Sequence, residues 1–179
     1  MRRLLGAVFS LLIASGLSFA SDLKNENLLV GMPEGYKVAF SQNKNGLLVS
    51  EMIPRGQSLK SWKDMVTVQI HFSRRVPMKV LEKQYTQVKS PICKQQDGRL
   101  VRKGRENGYE FGLFLTSCTT TPASKSETVL TKALLGNDST YFVIKSWRSK
   151  VGKAEIVKWS RYLSGVKVCD SRIEGRKCP

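Results

Sequence analysis

His71, the only histidine of the chain, is the first residue to consider for catalysis. Nucleophilic catalysis needs a base beside the nucleophile, and histidine often fills this role at neutral pH. Together with a serine, His71 and Asp64 could form a hydrolase site. However, the sequence contains no Gly-x-Ser-x-Gly motif, which would place a nucleophilic serine on a sharp turn. A small hydrolase with a site around His71 is therefore the alternative function.

The carboxylates give a weaker indication of chemistry. Paired Asp or Glu side chains can hydrolyse glycosides, and four acids are candidates: Glu51, Asp64, Glu82 and Glu110. Their spacing favours no particular pair. The sequence also lacks a glycine-rich phosphate loop, a dinucleotide-binding motif and a metal-binding helix motif. We therefore predict a protein that is not an enzyme, with no catalytic residue, no metal and no cofactor.

Basic side chains form two clusters that could bind an anion. The members are Arg99, Arg102, Lys103 and Arg105 in the first cluster, and Lys145, Arg148, Lys150 and Lys153 in the second. Strand alternation would put Arg102 on one face and the rest of the first cluster on the other. If the clusters meet across a sheet, they form an anion-binding surface with Trp147 in reach. A solvated basic face that only keeps the protein soluble is the other interpretation.

The overall charge favours an anionic partner. The chain has 30 Lys and Arg against 14 Asp and Glu, a formal net charge of +16. We expect the partner to be an anionic lipid, lipopolysaccharide or a glycan surface, or else a protein of the cell envelope or of a host. Nucleic acid is not expected, because the sequence shows no series of aromatic residues for base stacking and no nucleic-acid-binding motif.

The four cysteines suit disulfide bonds in an exported protein. Cys93, Cys118, Cys169 and Cys178 permit three pairings, and the sequence does not choose between them. We favour Cys93–Cys118, which would tie the end of a helix to the end of a strand. The other pair, Cys169–Cys178, would hold the basic C-terminal tail. Zinc is the rival use, but the chain has no close Cys-x-x-Cys pair and a single histidine.

Residues 1–20 have the pattern of a secretory signal peptide. Arg2 and Arg3 are followed by an apolar run, and the small residues Ser18 and Ala20 precede the expected cleavage site. The mature chain would be one secreted α+β domain, residues 21–179, with a net charge of +14 because two arginines and no acid are removed. The run is too short and wrongly flanked for a membrane anchor. We therefore predict no transmembrane segment and a location in the periplasm or outside the cell.

Alternation and turn residues predict the elements that position these side chains. In the first half we predict strands at 36–41 and 47–53 joined by an Asn-Gly turn, a strand at 65–72, and a helix from Pro77 to Val88. The polar segment 21–29 is expected to lack regular structure. In the second half we predict strands at 99–105, 109–118, 128–135 and 141–148, a loop at 119–126, and a helix at 153–163.

The order of these elements indicates the fold class. Strands grouped apart from the helices predict an α+β fold, a single domain with a mostly antiparallel twisted sheet packed with helices. No internal repeat divides the chain.

Residues 56–69, GQSLKSWKDMVTVQ, resemble a stretch in small exported proteobacterial proteins of unassigned function. Those proteins share a Trp-x-x-Met-Val-Thr-Val-Gln motif, matched here by Trp62 to Gln69. They also have a Trp-Arg before a C-terminal helix, matched by Trp147-Arg148. The order of elements is similar to the PsbP/Mog1 architecture, an antiparallel sheet between helices. The resemblance implies an accessory or binding protein and no catalytic residues.

These patterns together predict a non-enzymatic, disulfide-bonded exported protein of a Gram-negative bacterium. We expect it to bind an anionic ligand or a protein partner, including a virulence-associated role in host interaction. An accessory subunit of an envelope complex is a further alternative.

Overall fold

Strands supply most of the secondary structure. The structure, a computed structural model, describes residues 24–87, 89–120 and 126–179. Its elements are β1 (Glu26–Leu29), β2 (Tyr36–Lys44), β3 (Leu47–Pro54), β4 (Asp64–His71), α1 (Met78–Thr86), β5 (Cys93–Glu106), β6 (Tyr109–Thr120), β7 (Ser126–Leu135), β8 (Thr140–Trp147), α2 (Lys153–Ser164) and β9 (Lys167–Asp170). The predicted signal peptide, Val88 and residues 121–125 of the predicted loop lie outside the described residues.

Seven strands form one antiparallel sheet in the order β2-β3-β4-β8-β7-β6-β5. Two of its hairpins turn through Asn-Gly, at 45–46 and at 107–108, with φ between 49° and 78° at all four residues. Two-residue turns with positive φ at both positions match the right-handed twist of the flanking strands. The predicted Asn-Gly turn at 45–46 is therefore confirmed, and the turn at 107–108 joins the strands predicted at 99–105 and 109–118.

One helix packs on each face of the sheet. α1 buries Met78 and Leu81 against Phe114 on one face, and α2 buries Trp159 and Leu163 in the larger core on the other. The α+β class and the mostly antiparallel sheet of a single domain are thus confirmed. Within the described residues, neither helix has the length and apolar character needed to cross a membrane.

A two-stranded ribbon of β1 and β9 covers the α2 face of the sheet. The predicted lack of structure in segment 21–29 is therefore wrong for residues 26–29, which pair with residues 167–170. Leu28 packs against the larger core. The Glu26 carboxylate accepts hydrogen bonds from the backbone N–H groups of residues 137–139 at 2.5–3.2 Å. Because the partners of β1 lie at the far end of the chain, no local pattern indicates the pairing.

Both favoured disulfides, Cys93–Cys118 and Cys169–Cys178, are present, with Cα atoms 5.4 and 5.0 Å apart. The predicted position of Cys93 at a helix end is wrong, because α1 ends at Thr86 and Cys93 begins β5. The first disulfide therefore joins two neighbouring strands. Two structural disulfides are typical of proteins that fold in an oxidising, extracytoplasmic compartment.

Two buried lysines of the sheet hold α2 in place. Lys132 of β7 is 2% exposed, and its ammonium donates to the carbonyl oxygens of Leu163 and Val166, both at 2.9 Å. The last carbonyls of a helix have no partner within the helix, so Lys132 satisfies the C-terminal end of α2. The same ammonium pairs with Glu106. The second lysine, Lys145 of β8, contacts α2 through the Trp159 ring, whose centre lies 4.0 Å from the ammonium.

Replacing Lys132 tests this anchoring. We expect Lys132→Met to lower the free energy of unfolding by about 3–5 kcal/mol, because it leaves the Glu106 carboxylate and two carbonyls without their cation. Urea unfolding measures the change. Lys158→Met is the matched control, because Lys158 is 72% exposed in its pair with Glu155 and should change stability by less than about 1 kcal/mol. Similar small effects in both variants would contradict the anchoring role.

The disulfide between β5 and β6 should contribute measurably to stability. The double variant Cys93→Ser/Cys118→Ser opens a loop whose ends are 25 residues apart, for which chain entropy gives a loss of about 3.5 kcal/mol. Denaturant unfolding of the variant measures this loss. Peptide mass mapping under non-reducing conditions should recover the two disulfides described above. Four free thiols, or any other pairing, would show that the pairing is wrong.

Candidate functional site

Three of the predicted anion-binding residues, Arg99, Lys150 and Lys153, line one cleft of about 590 Å³. Arg99 comes from β5, Lys150 from the loop after β8, and Lys153 from the first turn of α2. The other lining residues are Asp97, Gly98, Leu115, Ser117, Thr128, Val151 and Ile156. The two clusters seen in the sequence thus meet, through one residue of the first and two of the second. We name this site the basic cleft.

The charges of the basic cleft are available to a ligand. Arg99, Lys150 and Lys153 are exposed, and none of them forms an ion pair with a carboxylate of the described residues. Asp97 is the only acid among the described lining residues. The start of α2 adds positive potential, because the peptide dipoles of a helix are aligned. An oxyanion in this cleft would meet three donors capable of charge-assisted hydrogen bonds.

A β-bulge changes the predicted arrangement of basic residues on β5. The pairing with β6 shifts between Leu100 and Arg102, and one extra residue reverses the alternation beyond it. Arg99 and Arg102 consequently both lie on the α2 face, whereas Lys103 and Arg105 lie on the α1 face. The expectation that Arg102 alone faces away from the rest of its cluster is therefore wrong.

The remaining residues of the first cluster interact with the protein itself. The Arg102 guanidinium lies 5.7 Å from the centre of the Phe111 ring. Lys103 pairs with Glu82 of α1 at 3.1 Å, and Arg105 donates to a carbonyl oxygen of the β5–β6 turn at 3.2 Å. None of these three basic residues lines the basic cleft.

Lys145 does not belong to an anion-binding surface, contrary to its predicted place in the second cluster. The residue is 0% exposed. Its ammonium donates to the Tyr36 hydroxyl at 2.8 Å, pairs with the Asp64 carboxylate, and lies 4.0 Å from the centre of the Trp159 ring. Burial lowers the pKa of Lys145 to about 8, against the opposing effect of Asp64. An external anion would have to displace Asp64 to reach this group.

Arg148 is partly occupied by an aromatic contact. Its guanidinium stacks 3.9 Å from the centre of the Trp62 ring and donates to the Trp62 carbonyl oxygen at 3.4 Å. Trp62 is half-buried, so it covers the start of β4 and also receives a cation–π contact. Arg148 remains exposed but lies outside the basic cleft.

A second cleft, of about 660 Å³, lies on the other side of α2. Its lining includes four rings and three carboxylates: Tyr36, Trp147, Trp159 and Tyr162, with Glu34, Asp64 and Glu155. Val151 lines both clefts, so they meet at the loop that enters α2. We name this second site the aromatic cleft.

Ring contacts shape the aromatic cleft. Trp159 packs edge-to-face against Tyr36, Trp147 and Tyr162, with ring centres 5.7, 6.4 and 5.1 Å apart. Burial raises the pKa of Tyr162 to about 12, so its hydroxyl remains protonated and donates to the Gly31 carbonyl oxygen at 2.7 Å. Burial and the hydrogen bond to Asp64 likewise raise the pKa of Tyr36. The rings of the cleft are therefore uncharged. The charged groups in its lining are the three carboxylates and two lysines, Lys145 and Lys158, which pair with Asp64 and Glu155.

The His71–Asp64 pair of the hydrolase alternative does not form. The two residues lie at opposite ends of β4, about 23 Å apart at about 3.3 Å per residue. The His71 ring packs edge-to-face on Phe142 at 5.3 Å. Burial and the charge of Arg74 lower the pKa of His71. No carboxylate of the described residues lies within ion-pair distance of this imidazole.

Strand alternation contains a signal for the buried lysines. Lys145 is two residues from Val143 and from Trp147 on β8, and residues at this spacing share one face of a strand. A lysine between two large apolar residues of one face is thus placed in the interior. Lys132, which no motif singles out, has the same setting on β7. The aromatic cleft, by contrast, draws residues from segments distant in sequence and has no such local signal.

No model of a known protein family matches this chain, and no curated protein matches its sequence. In the part of the chain that the structure describes, no group of three or more His, Cys, Asp or Glu side chains could hold a metal ion. The functional argument therefore depends on the two clefts.

The buried ammonium of Lys145 should make stability depend on pH. Its pKa is about 8 in the folded protein, against an ordinary value of 10.5. Between these values the unfolded chain binds a proton that the folded protein does not, so the free energy of unfolding increases with pH. We expect Lys145→Met to show a smaller increase, measured by urea unfolding at about pH 7.5, just below the window where the linkage acts, and at about pH 9.5, inside it. Part of the increase should remain, because burial also lowers the pKa of Lys132.

The control for this measurement is Lys79→Met, which removes an exposed lysine of α1 and should keep the pH dependence of the unmodified protein. If Lys145→Met kept it as well, Lys145 would not be the titrating group.

Proposed function

We propose that this protein is a non-enzymatic exported binding protein of a Gram-negative bacterium that holds an anionic group in the basic cleft. The observation that carries the proposal is the convergence of Arg99, Lys150 and Lys153 on one cleft without carboxylate partners in the described chain. The anionic group is a phosphate or a sulfate. These groups occur on lipid head groups, on lipopolysaccharide and on acidic glycans.

The cleft distinguishes this proposal from a merely solvated basic face. Exposed ion pairs on an open surface contribute about 0–1 kcal/mol because water and salt screen them. Hydrogen bonds to charged groups contribute about 1.5–3 kcal/mol each. A concave site favours the stronger contacts, since it surrounds the ligand and removes part of its water.

The proposed setting is the periplasm or the outside of the cell. The predicted signal peptide and the two disulfides support it. The antiparallel sheet between two helices supports a likeness to the PsbP/Mog1 architecture. The motif from Trp62 to Gln69 supports a likeness to small exported proteobacterial proteins. A virulence-associated role in host interaction is part of this proposal.

Two triple variants test the basic cleft. The cleft variant is Arg99→Gln/Lys150→Gln/Lys153→Gln. The matched control is Arg102→Gln/Lys103→Gln/Arg105→Gln, which removes the same charge from the protein but not from the cleft. The mature chain and both variants are measured against anionic phospholipid vesicles, lipopolysaccharide and sulfated glycans, at low and at physiological salt.

We expect the cleft variant to bind its preferred class at least about tenfold more weakly at physiological salt, which corresponds to about 1.4 kcal/mol. The affinity of the control should fall by less than about threefold, because the charges that it removes act on the ligand only at long range and are screened by salt. Equal losses in both variants, or binding to every probe at low salt only, would show that the charge is a solvated face.

A protein partner is the second candidate, and the edge of β2 that has no strand partner among the described residues favours it. β2 is an edge strand of nine residues on which Val38 and Phe40 are 49% and 40% exposed. Edge strands offer unpaired backbone groups to a strand of another protein. Stable co-purification with one envelope protein, lost in Val38→Lys/Phe40→Lys and retained in the cleft variant, would favour this accessory role.

A further inference from the structure

The two clefts form one continuous surface around the start of α2. Val151 lines both of them, and the first turns of α2 separate their centres. A helix with its side chains is about 10–12 Å wide. A single inorganic anion or a single sugar ring is therefore too short to occupy both clefts, whereas a ligand of several units can reach around the helix start.

The aromatic cleft differs from the basic cleft in the chemistry that it accepts. Its three carboxylates, Glu34, Asp64 and Glu155, outnumber its two lysines, Lys145 and Lys158, which pair with Asp64 and Glu155. The excess of negative charge disfavours an anion, and the carboxylates accept hydrogen bonds from hydroxyl groups. Its rings provide rigid apolar walls. Ring walls combined with a few polar acceptors suit the C–H faces and hydroxyl groups of sugars. A neutral, hydroxyl-rich unit therefore fits this cleft better than a second charged one.

The lining of the clefts suits a soluble glycan. Among the described residues, nine large apolar side chains are exposed, and none of them lines either cleft. Two of them, Met32 and Val157, are next in sequence to lining residues, so a lipid surface is the competing ligand that the experiment includes.

We propose that the ligand is an acidic oligosaccharide that occupies both clefts. Its sulfated or phosphorylated unit binds Arg99, Lys150 and Lys153. Its neutral sugar units lie in the aromatic cleft, against Glu34, Glu155 and the Tyr162 ring. This inference rests on the proposed function, because it names the ligand class of the same basic cleft.

Removing Glu34 and Glu155 distinguishes this ligand from a simple anion. Glu34→Ala/Glu155→Ala removes two negative charges and so raises the net charge by two, and an anion held only by charge should therefore bind more tightly. An oligosaccharide that uses these carboxylates as hydroxyl acceptors should bind more weakly. The control is Glu110→Ala/Glu174→Ala, which adds the same charge at exposed positions outside both clefts.

The probes are inorganic sulfate, anionic phospholipid vesicles, and an array of tetrasaccharides that each carry one terminal sulfate or phosphate. Titration calorimetry measures the affinity for the tetrasaccharide that binds most tightly on the array. We expect this tetrasaccharide to bind at least about tenfold more tightly than sulfate. We also expect the Glu34/Glu155 variant to bind the tetrasaccharide about three- to tenfold more weakly, without weaker binding of sulfate. The control variant should bind both probes at least as tightly as the unmodified protein does.

Three results would overturn the inference without overturning the proposed function. The first is that no tetrasaccharide binds more tightly than sulfate, and the second is that the Glu34/Glu155 variant binds the tetrasaccharide more tightly than the unmodified protein does. The third is that the protein binds vesicles more tightly than every tetrasaccharide. In each of these cases the cleft variant Arg99→Gln/Lys150→Gln/Lys153→Gln would still lose binding. If the cleft variant instead binds as the unmodified protein does, the proposed function itself fails.

Discussion

The burial of two ammonium groups beneath α2 is the interaction on which the rest of the structure depends. A buried charge must be paired, because leaving it alone in the interior costs several kcal/mol. Lys132 therefore requires Glu106 and the carbonyls of Leu163, in the last turn of α2, and of Val166, just beyond it. In the same way, Lys145 requires Asp64 and Tyr36. Two contacts of these lysines involve α2 directly: Lys132 binds the Leu163 carbonyl at the end of the helix, and the Lys145 ammonium lies 4.0 Å from the centre of the Trp159 ring. Together they favour one position and one rotation of α2 on the sheet.

The position of α2 in turn creates both clefts. Its first turn carries Lys153 towards Arg99 of β5, and its opposite side presents Trp159 to Trp147 of β8. A helix shifted along the sheet would separate the cations and expose the rings. The same lysines that cost energy to bury thus define a surface with contrasting halves, one basic and one aromatic with carboxylates. Val151 marks the boundary between the halves.

Net charge alone is a poor guide to such a site. The chain has an excess of 16 positive charges, yet the eight basic residues of the two clusters have different roles. Lys145 is buried, Lys103 pairs with an acid, and Arg148 stacks on a ring. What identifies Arg99, Lys150 and Lys153 as a candidate site is that they share one concave surface without carboxylate partners in the described chain.

The sequence by itself determined what local interactions control. Asn-Gly turns, strand alternation and the amphipathic pattern of α2 depend on neighbours a few residues apart, and the predicted strands and helices between residues 36 and 163 correspond to β2–β8, α1 and α2. The two favoured disulfides are present, although the sequence left three pairings open. Only the tertiary structure decided the pairing of β1 with β9, the bulge that turns Arg102 to the α2 face, and the meeting of Arg99 with Lys153. These features depend on contacts between segments far apart in the chain, and no local pattern encodes such contacts.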